Sequence, residues 1–172
     1  MLFHISEEPD LSVFAPRIAV NYSHLPPVVW AIDQEHLPHY FLPRDCPRVI
    51  YWQGEQTNEA DTKRFFSQST ARKVIAVENG WLARILNTPL YQYSFEPAPF
   101  TLFEEAKTAG YYIAETTVAP IATECIPNGL EQIAQAGIEI RVTPHLQLIR
   151  DQVISSTLDF SIIRFRNARK EI

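Results

Sequence analysis

The chain has 172 residues, of which 46% are hydrophobic and 20% charged, and a formal net charge of -5. That length suits a single domain covering residues 1–172, and the composition excludes a disordered chain. The acidic balance argues against general binding to a phosphate backbone, which needs a basic face. Two cysteines, Cys46 and Cys125, are too few for a disulfide framework.

Glu7, Glu8, Pro9 and Asp10 arrive too early for a signal peptide. No apolar run approaches the ~18 residues of a membrane span. The expectation is a cytoplasmic protein with reduced thiols and no membrane partner.

In chain order, residues 2–5 read as a short apolar strand, followed by acidic loop chemistry at 7–10. A second short element spans 11–14, and Pro26-Pro27 breaks the chain. Residues 28–32 are apolar and β-branched, which predicts a buried strand. Asp33 is placed to cap a short helix over 34–37. Residues 44–46 form an irregular stretch between Pro43 and Pro47, and 48–52 read as a strand.

Helix formers fill 58–69, a strand follows at 73–77, and 80–86 suits a short helix. Residues 90–95 alternate by face as a half-buried or edge strand does, with Tyr91 and Tyr93 taken as exposed aromatics. Residues 100–107 are ambiguous. Strands are expected at 111–115, 118–126 and 138–142. Asn128 should cap a helix over 129–136 that Gly137 ends. A helix over 145–155 and a strand over 159–166 close the chain, with Arg164 and Arg166 on the strand's wet face. Strands cluster instead of alternating with helices. This predicts an α+β fold with a mixed or mostly antiparallel sheet and short peripheral helices.

The five glycines are too scattered for GxGxxG or a phosphate-cradling loop, and GxSxG and HExxH are absent. His36 and His39, beside Glu35, are three apart but lack an identifiable third metal ligand, so no metal is expected and the histidines read as surface residues near a turn. Cys46 lies between Arg44 and Arg48, which would favour thiolate, but no partner histidine can be placed beside it. An ordered loop held by Arg–carboxylate bonds is the simpler account. His4, inside an apolar strand, is ordinarily a satisfied core or edge residue. Alternatively His4 and Ser6 face a cleft, with Arg17 as a phosphate partner at its mouth.

The opening 2–6, the stretch 14–17, and then 28–32, 30–47, 109–112 and 160–168 resemble an uncharacterised bacterial domain family of unknown function. More distantly, the layout is similar to ADP-ribosyltransferase-like domains. That resemblance implies NAD as cofactor, with His4 binding its ribose and Trp30 or Tyr40 stacking on nicotinamide. It also implies Glu115 as the catalytic acid, with Glu124 a weaker candidate. A carboxylate there would stabilise the positive charge that builds on the ribose. Ile5 follows His4 where those domains usually carry Gly. Three readings stay open: an NAD-using enzyme, a non-catalytic nucleotide or small-molecule binder, and a protein-interaction module.

Overall fold

The computed structural model of the chain describes residues 1–19 and 22–170. Helices and strands are mixed and most strand pairs are antiparallel, so the fold is α+β. The chain interleaves two compact units. The first comprises Met1–Tyr40 and Pro89–Pro127, and the second Phe41–Thr88 and Asn128–Ile172. No helix among the described residues is long and apolar enough to cross a membrane.

The first unit is built on strands β1 (Leu2–Ser6) and β2 (Val29–Ile32). To them it adds a 3-10 turn at Leu37–Tyr40 and, from its second stretch, four strands. The second unit supplies β3 (Arg48–Trp52) and β4 (Lys73–Glu78). The first unit then continues with β5 (Leu90–Phe95), β6 (Thr101–Leu102), β7 (Tyr111–Ala114) and β8 (Ala122–Ile126). Its sheet runs β6-β7-β2-β1-β5-β8, and every neighbouring pair is antiparallel.

Directly opposed residues of an antiparallel pair share a face. Leu2 opposes Phe95, His4 opposes Tyr93 and Ala31 opposes Tyr112, which puts these side chains together on one side. That side carries the core of Leu2, Val29, Ala31, Tyr93, Phe95 and Phe100. Tyr93 is therefore not an exposed aromatic. It is fully buried, its hydroxyl donates to the Glu8 carbonyl at 2.5 Å, and it accepts from the Leu11 N–H at 3.1 Å. Satisfying both hydroxyl functions lets a phenol sit inside a core.

The second unit's sheet runs β10 (Asp159–Ile163), β3, β4, β9 (Glu139–Thr143); β4 and β9 are parallel and the other pairs antiparallel. All five residues of β3 are buried, which is why its sequence is nearly continuous in apolar residues instead of alternating. Helices α1 (Glu59–Phe66), α2 (Leu82–Asn87), α3 (Gly129–Gln135) and α4 (Gln147–Ile154) complete the unit. Asn58 caps α1 by accepting from the Asp61 N–H at 2.7 Å. Asn128 caps α3 by accepting from the Glu131 N–H at 3.3 Å. The Asn128 cap agrees with the sequence reading.

Tyr51 lies in the second core among Phe65, Phe66, Val74 and Leu146, and its hydroxyl has no hydrogen-bond partner among the described residues. Burial pushes its pKa up to about 12. A buried hydroxyl without a partner costs about 1–3 kcal/mol, and an apolar isostere avoids that cost. Tyr51→Phe should therefore leave stability unchanged or raise it by about 1 kcal/mol. A drop in urea midpoint would show that the hydroxyl is satisfied after all.

Several stretches differ from the sequence reading. The strand expected over 118–126 is only a bridge at Val118 before β8, since Pro120 cannot donate to a ladder. Residues 11–14 likewise contribute one bridge, Phe14 to Val118. The ambiguous 100–107 stretch divides into β6 and a 3-10 segment, Glu104–Ala109. Finally, β10 stops at Ile163, because Arg164 adopts a left-handed φ of 52° and opens a 3-10 turn. Arg164 and Arg166 are thus not on the wet face of a strand.

Candidate functional site

His4, Ser6, Arg17, Trp30, Tyr40, Glu115 and Glu124 belong to the first unit and Cys46 to the second, and within the first unit the sheet separates the candidates. Phe3 opposes Ile32, so the alternation of β1 and β2 places Trp30 on the side opposite His4. His4 is half-buried. Its Nδ1–H donates to the Trp30 carbonyl at 3.1 Å, and its ring meets Phe14 edge-on at 5.0 Å. Ser6 ends β1 and accepts from the Glu8 N–H at 3.0 Å, a local turn bond.

Arg17 bridges Val28 through its backbone, at 3.0 and 3.1 Å, with its side chain exposed. Glu115 sits in an exposed bend just past β7, and Glu124 is exposed on β8. His4 and Ser6 share one face. Trp30 and Tyr40 are brought together elsewhere, through Tyr111.

That second grouping is an aromatic cluster. Trp30 packs against Tyr22 at 5.1 Å with a 35° tilt, and against Phe103 and Tyr111 edge-on at 5.3 and 5.7 Å. Tyr111 reaches Tyr40, and the two hydroxyls hydrogen-bond at 2.5 Å. One hydroxyl of such a pair donates to the other, and the acceptor keeps a proton of its own to donate. The Trp30 Nε1–H is buried with no hydrogen-bond partner among the described residues. Burial, reinforced by Tyr111 and Glu105, raises the pKa of the Tyr22 phenol, which keeps it protonated at neutral pH. Sequence reading missed Tyr22, Phe103 and Tyr111 as members. The period-2 pattern of 111–114 signals a strand but does not say which strand it pairs with.

The cluster is bordered by Asp33 and His36. Asp33 Oδ1 accepts from both the backbone N–H and the Nδ1–H of His36, at 2.8 and 2.7 Å. This is the capping role expected of Asp33, although the segment is a 3-10 turn at Leu37–Tyr40 and not a helix over 34–37. Gly110 makes the approach possible. Its φ is +70°, and a Cβ there would lie 2.3 Å from His36 Nδ1. His36 and His39 are buried, 7% and 1% exposed, so they are not surface histidines.

Charge is divided unequally along the chain. The first unit holds ten Asp and Glu against two Lys and Arg, a net of -8. The second holds ten against thirteen, a net of +3. An open depression of about 200 Å³ in the first unit, lined by Phe95, Phe100, Val118 and Ile121, is smaller than the ~300–1,000 Å³ typical of ligand pockets.

Cys46, in the second unit, is fully buried. Arg48 holds its loop through bonds to the carbonyls of Pro43 and Cys46, at 3.2 and 3.3 Å. Burial pushes the thiol up to about 11, although the Arg48 charge pulls the other way. A neutral, inaccessible thiol is not a nucleophile at neutral pH. Cys125 is exposed. A thiol reagent should therefore find one reactive group per native chain and two after unfolding. The unfolded Cys46 thiol ionises near pH ~8.5, below its folded pKa. Its contribution is then fully present below that pH and is lost as pH rises towards 11. Alkaline destabilisation that is weaker in Cys46→Ala would confirm it.

No curated protein and no solved structure matches the chain. A family profile described as a family of unknown function does match, over residues 3–168. With nearly its whole length inside that match, from β1 through the last 3-10 turn, the chain belongs to this family of unknown function, DUF6886.

Proposed function

We propose that the chain binds a small molecule at the aromatic cluster of its first unit, and that the recognised group is a planar cationic ring. NAD is the first ligand to test. The buried Trp30 N–H, which has no hydrogen-bond partner among the described residues, carries this reading. An unsatisfied buried donor costs about 1–3 kcal/mol, which an acceptor atom on a ligand would remove. Ring faces attract cations, and a unit with net charge -8 favours them further. The nicotinamide end of NAD offers both features, a pyridinium ring and a carboxamide oxygen.

Binding is favoured over turnover. ADP-ribosyl transfer needs a carboxylate beside the ribose, and Glu115 lies in an exposed bend beyond β7. Glu115→Gln in a nicotinamide-release assay tests that further step.

Ligand binding to the native state raises the melting temperature. NAD should raise it, ADP-ribose, which lacks the pyridinium, should not, and Trp30→Phe should abolish the NAD shift while keeping an aromatic ring. No shift at millimolar NAD, or an equal shift with ADP-ribose, would refute the proposal.

A further inference from the structure

We infer that the free edge of β8 is a docking site for an extended, lysine- or arginine-bearing segment of a partner protein, which would add a strand to the first unit's sheet. β8 is the last strand of that sheet and pairs only with β5 among the described residues. Ala122, Thr123, Glu124 and Cys125 are all exposed, so the strand is open along its edge and on both faces. An edge strand turns alternate N–H and C=O groups outward, where they can pair with another chain.

Proteins usually guard such edges with lysine, proline, a bulge or a very short strand. The opposite edge of this sheet, β6, is two residues long. β8 has five residues, with neither proline nor lysine among them. Its one charged guard, Glu124, disfavours an acidic strand but not a basic one, which leaves β8 the more open of the sheet's two edges.

The chemistry of the surroundings selects the partner. Glu124 is the one charge on β8. Glu96 lies on the rim of the apolar depression, where Ile121, immediately before β8, is 52% exposed. The whole unit has ten acidic and two basic residues. Glu124 opposes Gln92, whereas Thr123 and Cys125 oppose Tyr93 and Tyr91 on the core side. An incoming strand alternates in the same way. It would set a basic side chain beside Glu124 and an apolar one on the face of the depression. Main-chain bonds would supply affinity, and the alternating side chains specificity. A second copy fits less well, because two β8 strands centred on Glu124 would oppose like charges.

The test uses the full chain and a short labelled peptide alternating lysine and valine. Fluorescence anisotropy should report saturable binding that weakens with salt. Hydrogen exchange should slow at residues 122–126. Glu124→Lys, an exposed change, should weaken binding about ten-fold or more, and methylating alternate peptide nitrogens should abolish it. Three results would overturn the inference: equal binding of a glutamate–valine peptide, protection confined to other segments, or β8 protection that tracks protein concentration without peptide. The last would assign the edge to a second copy of this chain. Trp30→Phe should not affect peptide binding, which separates this site from the aromatic cluster.

Discussion

Gly129→Ala is expected to be the most damaging single-methyl change in the chain. Gly129 opens α3, and a Cβ there would lie 2.0 Å from the Phe41 carbonyl oxygen and 2.9 Å from its carbon. Both atoms are backbone, so no side-chain rotation relieves the clash. Phe41 and Gly129 both belong to the second unit, and α3 also packs on β9. Moving the helix would disturb that contact as well. Overpacking usually costs 1–3 kcal/mol, and a backbone obstacle puts this case at the upper end, about 3 kcal/mol. For a chain of this size that corresponds to a fall in melting temperature of roughly 6–12 °C. Gly80→Ala is the control, because nothing lies within 4 Å of a Cβ there. Equal melting temperatures for the two variants would disprove the argument.

The second large effect is expected at Glu78, which ends β4 and is 2% exposed. One carboxylate oxygen accepts from the Leu146 N–H at 3.3 Å, and both accept from the Arg169 N–H at 3.1 Å. Leu146 immediately precedes α4, and Arg169 lies just after the last 3-10 turn, so one buried side chain ties two distant segments to the sheet. Removing it strands two backbone donors and opens a cavity. Each stranded donor costs about 1–3 kcal/mol, so Glu78→Ala should lose about 3 kcal/mol or more. Glu78→Gln keeps an acceptor oxygen and should recover most of the loss. The comparison by urea denaturation separates the acceptor's role from that of the charge. If Gln is as damaging as Ala, the negative charge is what matters.

The division of charge bears on both functional proposals. A strongly acidic first unit repels a free phosphate, and Arg17 and Lys107 are its only Lys or Arg residues. An NAD molecule held there would gain from its pyridinium ring and lose from its pyrophosphate. The two pyrophosphate charges outweigh the single pyridinium charge at long range, so salt should tighten NAD binding at the cluster by screening the net repulsion, and weaken the lysine peptide at β8, where it removes an attraction. Opposite salt slopes for two ligands on one unit are a sharp expectation.

Much of the local structure was legible in the sequence. Strands β3, β4, β5 and β9 follow runs of four to six apolar, β-branched or alternating residues, and Asn128 and Asp33 act as caps where their side chains predict. Gly137 has φ +73° after α3, as a helix-ending glycine should. These features depend on neighbours within a few residues, so the sequence carries them directly. The site was not legible in this way. His4 and Trp30 lie on opposite faces because β1 and β2 pair in one register, and a shift by one residue would have joined them. Tyr93 is buried because β5 lies between β1 and β8, although its own alternation equally suits an exposed edge. The separation of acidic from basic charge arises because each unit combines two stretches far apart in the chain. Composition, caps and strand periodicity are local properties that the sequence determined by itself. Faces, edges and the gathering of charge depend on which distant segments pair, and only the tertiary structure decided them.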